Sequence, residues 1–243
     1  MTDSHATCEA TQWTLVFRAA VENAEHGRPA LEQIIRQYWK PLYSFARQRG
    51  LTPADAEDAT QEFLSNLMDG RWLAQADPAK GRFRSYLLTS WKQFLIDQYR
   101  KENRIRRGGG MIRFSLDVAA GETAFQAASA RQDNADLSFL RVWASSILDA
   151  TAQRLSNDYA QRGHAVVCEA LVPYLTSPID QATYSDLSKQ LGLSASSLRV
   201  ALHRLRQRYG ETLREVISET VEHPSEVDQE LQELLRVLTS KSG

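Results

Sequence analysis

The stretch that decides the fold is residues 184–209, YSDLSKQLGLSASSLRVALHRLRQRY, whose pattern predicts two helices joined by a tight turn. Leu187 and Leu191 are four residues apart, so they share one face of the first helix. Gly192 follows that face, and glycine readily takes the left-handed conformation of a helix C-cap. Ser194 is placed to cap the second helix by accepting a hydrogen bond from a free backbone N–H group. The pattern therefore indicates a helix-turn-helix.

The second helix of this motif separates apolar from basic side chains. Its apolar stripe recurs at spacings of four, three and four residues and comprises Leu198, Leu202, Leu205 and Tyr209. Its other side has no acidic residue and carries Arg199, Arg204, Arg206 and Arg208. Such a helix fits the major groove of duplex DNA, with its N-terminal side chains nearest the bases and its later arginines at phosphates. The alternative is a surface helical hairpin whose arginines are only solvated.

The charge of the chain is balanced overall but not along its length. Its 243 residues include 29 basic and 30 acidic side chains, so net charge alone favours no partner. Residues 80–107 contain nine basic and two acidic residues, whereas residues 211–233 contain eight acidic residues and one arginine. Together with the basic helix, the first of these segments gives two positive regions far apart in sequence. This distribution indicates two contacts with a polyanion.

The sequence has no feature of a secreted or membrane-spanning protein. Its two cysteines, Cys8 and Cys168, are too few for a disulfide framework and suit a reducing cytoplasm. Residues 1–10 lack the basic start and the apolar run of a signal peptide. No apolar run approaches the roughly 18 residues of a membrane span. We therefore expect a cytoplasmic protein without a membrane partner.

No arrangement of residues predicts a catalytic or metal site. His5 with Cys8, and His164 with Cys168, are spaced to share a helical face, but neither pair has a second pair nearby to complete a metal site. The three glycines at 108–110 lack the lysine and the serine or threonine of a phosphate-binding loop. We therefore predict no enzymatic activity, no cofactor and no metal.

The chain as a whole is predicted to be all-α, with two helical domains joined by a flexible linker. Helical periodicity is found over 11–23, 30–49, 52–68, 85–104, 137–159, 165–174, 184–217 and 227–238. Between the first two of these, residues 25–29 are expected to form a turn, and Pro41 is expected to kink or split the helix that contains it. No segment has a convincing strand pattern.

Glycines 108–110 mark the end of the first domain, because a run of glycines is costly to order. The following residues have short apolar pieces without a sustained period, which predicts a largely extended linker. The predicted boundaries are a first domain over 11–107, a linker over 108–136, a second domain over 137–222 and an acidic C-terminal helix or tail over 223–243.

The helix expected after Thr52 has the clearest start in the chain. Thr52 can cap it, and Pro53 suits the first helical position. Acidic residues near this end, Asp55 and Asp58 among them, complement the helix dipole. The predicted buried stripe comprises Ala56, Ala59, Phe63, Leu67 and Met68. The side chains expected outside are Asp58, Gln61, Glu62 and Ser65.

Residues 80–107 interleave basic and aromatic side chains. Basic residues can follow a phosphate backbone, and exposed rings can stack on unpaired bases, at about 1–3 kcal/mol each. The alternative is that these rings belong to a core. Spacing predicts that Leu87, Trp91, Phe94 and Leu95 face inward. It leaves Phe83, Tyr86 and Tyr99 undecided between the core and a base contact.

Three stretches, in this order, resemble parts of a bacterial sigma factor of the extracytoplasmic-function type, within the sigma-70 family. Residues 56–68, AEDATQEFLSNLM, resemble the region 2 helix that binds the β′ clamp helices of RNA polymerase. Residues 81–107, GRFRSYLLTSWKQFLIDQYRKENRIRR, are similar to the segment that opens and reads the −10 element. Residues 184–209 are similar to the region 4 helix-turn-helix that reads the −35 element. The resemblance covers nearly the whole chain, and the ordered trio is more specific than any one stretch.

The resemblance implies a non-enzymatic subunit that directs core RNA polymerase to promoter DNA, with contacts to the β′ clamp helices and the β flap. The polymerase-binding residues it implies are Asp55, Asp58, Gln61 and Glu62. The residues it implies at the −10 element are Arg82, Phe83, Arg84, Tyr86, Lys92, Arg100 and Arg104. The residues it implies at the −35 element are Ser194, Ser196, Ser197, Arg199, His203, Arg204 and Arg206.

Two features depart from a minimal factor of this type. Residues 111–181 are longer than such a protein needs, and the acidic segment after Glu211 is extra, as in larger variants with a C-terminal extension. Regulation is left open between an anti-sigma factor, a kinase, and an acidic tail that folds over the basic helix. A stand-alone helix-turn-helix regulator is the alternative function. It would use neither the acidic helix at 56–68 nor the −10-like aromatics, and would usually bind a palindrome as a dimer.

Overall fold

The computed structural model describes residues 24–68, 82–102, 115–131, 133–221 and 223–240, and within these ranges the chain is helical with no strand. The helices are α1 (Ala24–Gln48), α2 (Pro53–Met68), α3 (Phe83–Glu102), α4 (Val118–Ser129), α5 (Ala135–Gln161), α6 (Ala165–Leu171), α7 (Gln181–Leu191), α8 (Ala195–Ser218) and α9 (Val227–Thr239). Short 3-10 turns lie at Val172–Tyr174 and Pro224–Glu226. The all-α prediction is confirmed. The helix predicted over 11–23 lies outside the described residues.

The chain divides into two compact units. The first comprises residues 1–146 and 218–243, and the second comprises residues 147–217. The division falls within α5, about ten residues after the expected start of the second domain at 137. Helix α9, which the sequence assigned to a separate tail, belongs to the first unit.

The core of the first unit joins α2 and α3 through aromatic side chains. The Phe63 ring lies 5.0 Å from the Trp91 ring and 5.4 Å from the Phe94 ring, measured between centroids. The Trp91 and Phe94 rings stack at 5.5 Å. Aromatic pairs of this kind contribute about 0.5–1.5 kcal/mol beyond the area that they bury. Trp91, Phe94 and Leu87 are buried, as their spacing predicted.

Helix α1 departs from its predicted form, because it runs unbroken through Pro29 and Pro41. The turn expected at 25–29 lies within the helix, and Pro41 does not split it. Proline in a helix interior costs about 3 kcal/mol. Tyr38 and Leu42, which flank Pro41, are almost fully buried, and burial of side chains of this size offsets that cost.

The N-terminus of α2 has the predicted cap. The Asp55 backbone N–H donates to Thr52 Oγ1 at 3.2 Å, and the Thr52 hydroxyl donates in turn to the Asp55 carboxylate at 2.7 Å. Pro53 occupies the first helical position. The first of these contacts satisfies a backbone N–H group that a helix start leaves without an intrahelical partner.

The expected linker contains a helix. Within 115–131 the chain forms α4, and the Asp117 carboxylate caps it by accepting a hydrogen bond from the Ala120 N–H at 3.0 Å. Residues 118–129 consist mainly of small side chains, so they lack the apolar period that marks a packed helix. The prediction of an extended linker is therefore wrong for these residues, whereas residues 108–114 lie outside the described part of the chain.

Helix α4 is held on α1 by polar contacts that its own pattern does not reveal. Arg47 Nε lies 2.5 Å from Glu122 Oε1, and the Tyr43 hydroxyl donates to the same oxygen at 2.6 Å. The Arg47 guanidinium also lies over the Phe125 ring, 4.7 Å from its centroid. At Gly121, a Cβ atom would lie 3.0 Å from the Trp39 side chain. Glycine at this position therefore permits the close approach of the two helices.

The core of the second unit is built by leucines from four helices. Its buried members are Leu155, Cys168, Leu171, Leu187, Leu198, Leu202 and Leu205. Gly192 takes the left-handed conformation at the end of α7, with φ of 65°. The Ser197 N–H donates to Ser194 Oγ at 3.1 Å at the start of α8. The two helices, the turn and the cap expected from residues 184–209 are therefore present.

Candidate nucleic-acid interfaces

The first turn of α8 presents a cluster of serines. Ser194, Ser196 and Ser197 are exposed, and both Ser196 Oγ and Ser197 Oγ lie 2.9 Å from Ser194 Oγ. Ser194 is occupied as the helix cap, whereas Ser196 and Ser197 project from the first turn. No acidic residue stands in that turn. The positive end of the helix dipole is therefore exposed beside two hydroxyl groups, an arrangement suited to phosphate or base edges.

The exposed face continues along α8 for two more turns. Arg199, Val200, His203 and Arg204 are all exposed. The Arg199 guanidinium lies over the Tyr184 ring at 5.3 Å from its centroid, which holds the end of this side chain against α7. Among the described residues, the structure shows no ion pair for His203 or Arg204. This face therefore keeps its donors available to a partner.

Arg206 does not belong to that face, contrary to the sequence prediction. Its guanidinium donates to three backbone carbonyl oxygens, of Tyr174 at 2.8 Å, Ser177 at 2.9 Å and Leu175 at 3.1 Å. These carbonyls close the loop between α6 and α7. Arg206 therefore fastens this loop to α8 within the second unit, and three of its five N–H donors are already used.

Arg208 is also paired within the second unit. It lies 3.0 Å from Glu215, 3.3 Å from Glu211 and 3.4 Å from Asp158. The later arginines of α8 were expected at phosphates because the strip from Ser194 to Tyr209 contains no acid. The structure supplies acids from the next turns of α8 and from α5, and these neutralise Arg208.

The second unit also brings together His164 and Cys168, the pair considered for a metal. Both line an open groove between α6 and α8. Burial raises the pKa of the Cys168 thiol, so the thiol is neutral at physiological pH. Within the described ranges, no three His, Cys, Asp or Glu side chains are grouped as metal ligands.

The start of α3 is buried in the first unit. Phe83 is fully buried and lies 5.6 Å from the Tyr38 ring. Arg84 is 6% exposed and lies over the Trp143 ring at 4.5 Å from its centroid. Neither side chain can reach nucleic acid in this conformation, although both were predicted at the −10 element. Phe83, left undecided by its spacing, is a core residue.

A carboxylate from α9 neutralises this end of α3. Glu230 is 1% exposed and forms ion pairs with Arg84 and with Arg82, the second at 2.7 Å. Burial, followed by the nearby charge of Arg82, lowers the pKa of Arg84 to about 10. Arg84 therefore stays charged at neutral pH. Sequence reasoning missed Glu230, although its position one helical turn before Leu234 places an acid on an apolar face.

The other end of α3 is open and basic. Tyr99 is 72% exposed and Ile96 is 46% exposed. Both line a groove together with Arg49, Lys92 and Arg100. An exposed ring among basic side chains is the arrangement that binds single-stranded nucleic acid. Of the aromatics left undecided, Tyr99 is the one available to a base.

Two further −10 candidates contribute little to this groove. Lys92 pairs with Asp136 at 2.6 Å across the groove, so part of its charge is already neutralised. Tyr86 is half-buried, and its ring lies 6.4 Å from that of Phe83. Arg104 lies outside the described residues.

The candidate polymerase-binding residues on α2 divide into two sets. Asp55 and Asp58 are exposed and Glu62 is half-buried, at spacings of three and four that place them on one face. Gln61 is 7% exposed and faces the interior. The acidic face of α2 is therefore formed by the three carboxylates, and the prediction that Gln61 lies outside is wrong.

One protein-family model matches a segment of the first unit. Residues 34–105 match the family model of sigma-70 region 2, from the middle of α1 to just beyond α3. The matched segment is less than a third of the chain and lies within the first unit. No curated protein and no solved structure matches the chain. In the parts of the chain described above, no helix has the length and apolar content that a membrane span requires.

Proposed function

We propose that the protein is a sigma factor of the extracytoplasmic-function type that directs core RNA polymerase to promoters through their −35 and −10 elements. The observation that carries this proposal is the match of residues 34–105 to sigma-70 region 2. The α7–α8 pair, in a compact unit of its own, supports the proposal with a helix suited to duplex DNA. The factor has no chemistry of its own and acts in the cytoplasm.

We infer that α2 binds the β′ clamp helices of the polymerase through its acidic face. Asp58 and Glu62 lie on that face beyond the capped first turn, so their charges are free of the cap that occupies Asp55. Complementary charge on the partner would speed association and set the orientation of binding. The β flap is the second polymerase contact in this proposal.

At the −35 element, the N-terminal half of α8 enters the major groove. Ser196, Ser197, Arg199 and His203 are the base-edge candidates, and Arg204 meets a phosphate. Exposure of these side chains and the positive end of the helix support this assignment.

At the −10 element, the groove at the end of α3 binds the non-template strand. Tyr99 stacks on an unpaired base, and Arg100 follows the backbone, with Arg104 continuing the basic path along the sequence. Binding of the unpaired strand favours the open promoter, so the polymerase melts DNA by trapping the melted state.

Run-off transcription tests the proposal. Core RNA polymerase is assayed with and without the protein on a promoter library from the source genome. Initiation at defined sites that share −35 and −10 elements is the expected result. Binding to DNA without polymerase-dependent initiation would instead indicate the stand-alone regulator.

A matched pair of variants makes the assay specific. Asp58→Lys should reduce initiation at limiting protein concentration by weakening polymerase binding, whereas Glu169→Lys makes the same charge change on an exposed position of α6 and should leave initiation intact. Equal loss in both variants would show that the effect of Asp58 is only a change of net charge.

A further inference from the structure

Helix α9 carries a carboxylate on its buried face. Glu230, Leu234 and Val237 are spaced by four and three residues, and all three are buried. A side chain at the position of Glu230 would ordinarily be apolar, because an unpaired buried carboxylate is very unfavourable. The acid is retained in this helix because it has cationic partners.

Those partners are the two arginines that begin the −10-like segment. The Arg82 guanidinium lies 2.7 Å from Glu230 Oε2, and Arg84 pairs with Glu230 Oε1. Each oxygen of one carboxylate thus receives its own guanidinium. This is also the way in which paired arginines bind a phosphate group. A phosphate group offers the two guanidinium groups the same kind of acceptor oxygens as the α9 carboxylate.

A second set of contacts fastens the C-terminal end of the helix. Arg141 Nη2 donates to the Ser240 carbonyl oxygen at 2.6 Å, and Arg141 Nε lies 2.6 Å from Asp133 Oδ2. Arg141 and Asp133 are both buried. Helix α9 is therefore held at both of its ends, by Glu230 at its first turn and by Ser240 just beyond its last.

Docked α9 and nucleic acid cannot occupy the start of α3 together. Arg84 is 6% exposed and Glu230 is 1% exposed, so no phosphate can approach this pair until α9 leaves. The ring contacts among Phe63, Trp91 and Phe94 involve α2 and α3 only. Departure of α9 therefore breaks none of these ring contacts and releases Arg82 and Arg84 from Glu230.

We propose that α9 is an autoinhibitory helix whose Glu230 occupies Arg82 and Arg84 in place of a nucleic-acid phosphate, so that the start of α3 binds nucleic acid only after α9 undocks. This proposal differs from a tail that covers α8, because the observed partners of α9 are on α3. It rests on the proposed function only for the identity of the nucleic acid as promoter DNA; the competition itself requires only a polyanion.

The proposal predicts that the apparent affinity equals the intrinsic affinity multiplied by the fraction of molecules in which α9 is undocked. Glu230→Gln keeps the shape of the side chain but removes the carboxylate charge that pairs with Arg84 in a buried site, which disfavours the docked state. Glu169→Gln is the control, because it removes the same charge from an exposed position on α6.

The experiment measures binding of a fluorescein-labelled single-stranded oligonucleotide to the full chain by anisotropy, with hydrogen–deuterium exchange of 227–239 in parallel. We expect Glu230→Gln to bind about fivefold more tightly or better, the lower end of usual coupling between sites, and to exchange faster in α9. Glu169→Gln should match the wild type in both measurements. Faster exchange in α9 without tighter binding would overturn the proposal and leave α9 as a purely structural element, as would no change in either measurement.

A second measurement needs no substitution. Because the competition is reciprocal, saturating oligonucleotide should speed exchange in α9 of the wild-type protein. Unchanged or slower exchange with the oligonucleotide bound would overturn the proposal. Run-off transcription tests the sigma-factor function separately. If Glu230→Gln binds the oligonucleotide more tightly but initiation occurs on no promoter, the autoinhibitory role of α9 stands and the sigma-factor function is rejected.

Discussion

Arg206 Nη2 donates a hydrogen bond to the carbonyl oxygen of Tyr174 at 2.8 Å, which ties the recognition-like helix α8 to the turn that follows α6. The same guanidinium also reaches two further carbonyls in the loop before α7. An arginine on the basic side of α8 thus holds the second unit together. A basic residue on α8 is therefore not necessarily available to bind DNA.

Arg206→Ala should destabilise the second unit, whereas Arg204→Ala should not. Loss of three hydrogen bonds from a partly solvated guanidinium should cost about 1–2 kcal/mol of unfolding free energy. Arg204 lacks such contacts among the described residues, so its removal should leave the melting temperature unchanged. Thermal denaturation of the two variants measures the difference.

The variants Arg204→Ala and Arg206→Ala should also differ in their DNA binding. Arg204→Ala should weaken −35 binding at all sequences and lower the salt slope by about one, as expected for a lost phosphate contact. Arg206→Ala should retain the wild-type salt slope at temperatures where it is folded. Equal salt slopes for the two variants would contradict the assignment of Arg204.

Much of the fold was predictable because its signals are local. The cap at Thr52, the left-handed turn at Gly192 and the leucine stripe of α8 each depend on residues within a few positions of one another. The helix α4 was missed because its stability comes from Tyr43 and Arg47, about 75 residues earlier. The burial of Arg84 was missed for the same reason, since its partner Glu230 lies far along the chain.

The sequence indicated where basic side chains are concentrated, but not which of them are exposed in the fold. The basic segment and the basic helix were both identified from charge. Which cations are available was decided by tertiary ion pairs, as Arg84 and Arg206 show, and no periodicity reports such pairs. Whether an aromatic side chain of α3 is exposed likewise depends on which face of α3 packs against α2. Spacing predicted the burial of Trp91 but did not predict the exposure of Tyr99.

Tyr99→Ala should weaken binding to single-stranded −10 DNA. A stacked base is worth about 1–3 kcal/mol, and Tyr99 is the aromatic of α3 most exposed to a base. Tyr99→Phe keeps the ring and should retain most of the affinity. Anisotropy of a labelled non-template strand bound by the protein with core polymerase gives the comparison. Wild-type affinity in Tyr99→Ala would remove Tyr99 from the interface.

Docking of α4 should depend on pH through Glu122. Its hydrogen bond from Arg47 is the main cause that lowers the pKa of the Glu122 carboxyl below its ordinary value. A lowered pKa in the folded state means that the contribution to stability is fully present above the ordinary value of about 4.3 and is lost as pH falls through the folded value. Glu122→Gln should flatten this part of the pH dependence, as measured by urea unfolding between about pH 3 and 6. If the unfolding free energy of Glu122→Gln depends on pH as in the wild type, other carboxylates determine this pH dependence.

Asp58→Lys should weaken binding of core polymerase by about tenfold, because it places a cation where the acidic face of α2 is proposed to meet basic groups. Asp58 suits this test better than Asp55, whose carboxylate accepts the Thr52 hydroxyl at the cap. Its position beyond the first helical turn also limits any effect through the helix dipole. Fluorescence titration of labelled protein with core polymerase measures the affinity, and Glu169→Lys serves as the charge-matched control. If both variants bind core polymerase equally well, α2 does not use its acidic face for this contact.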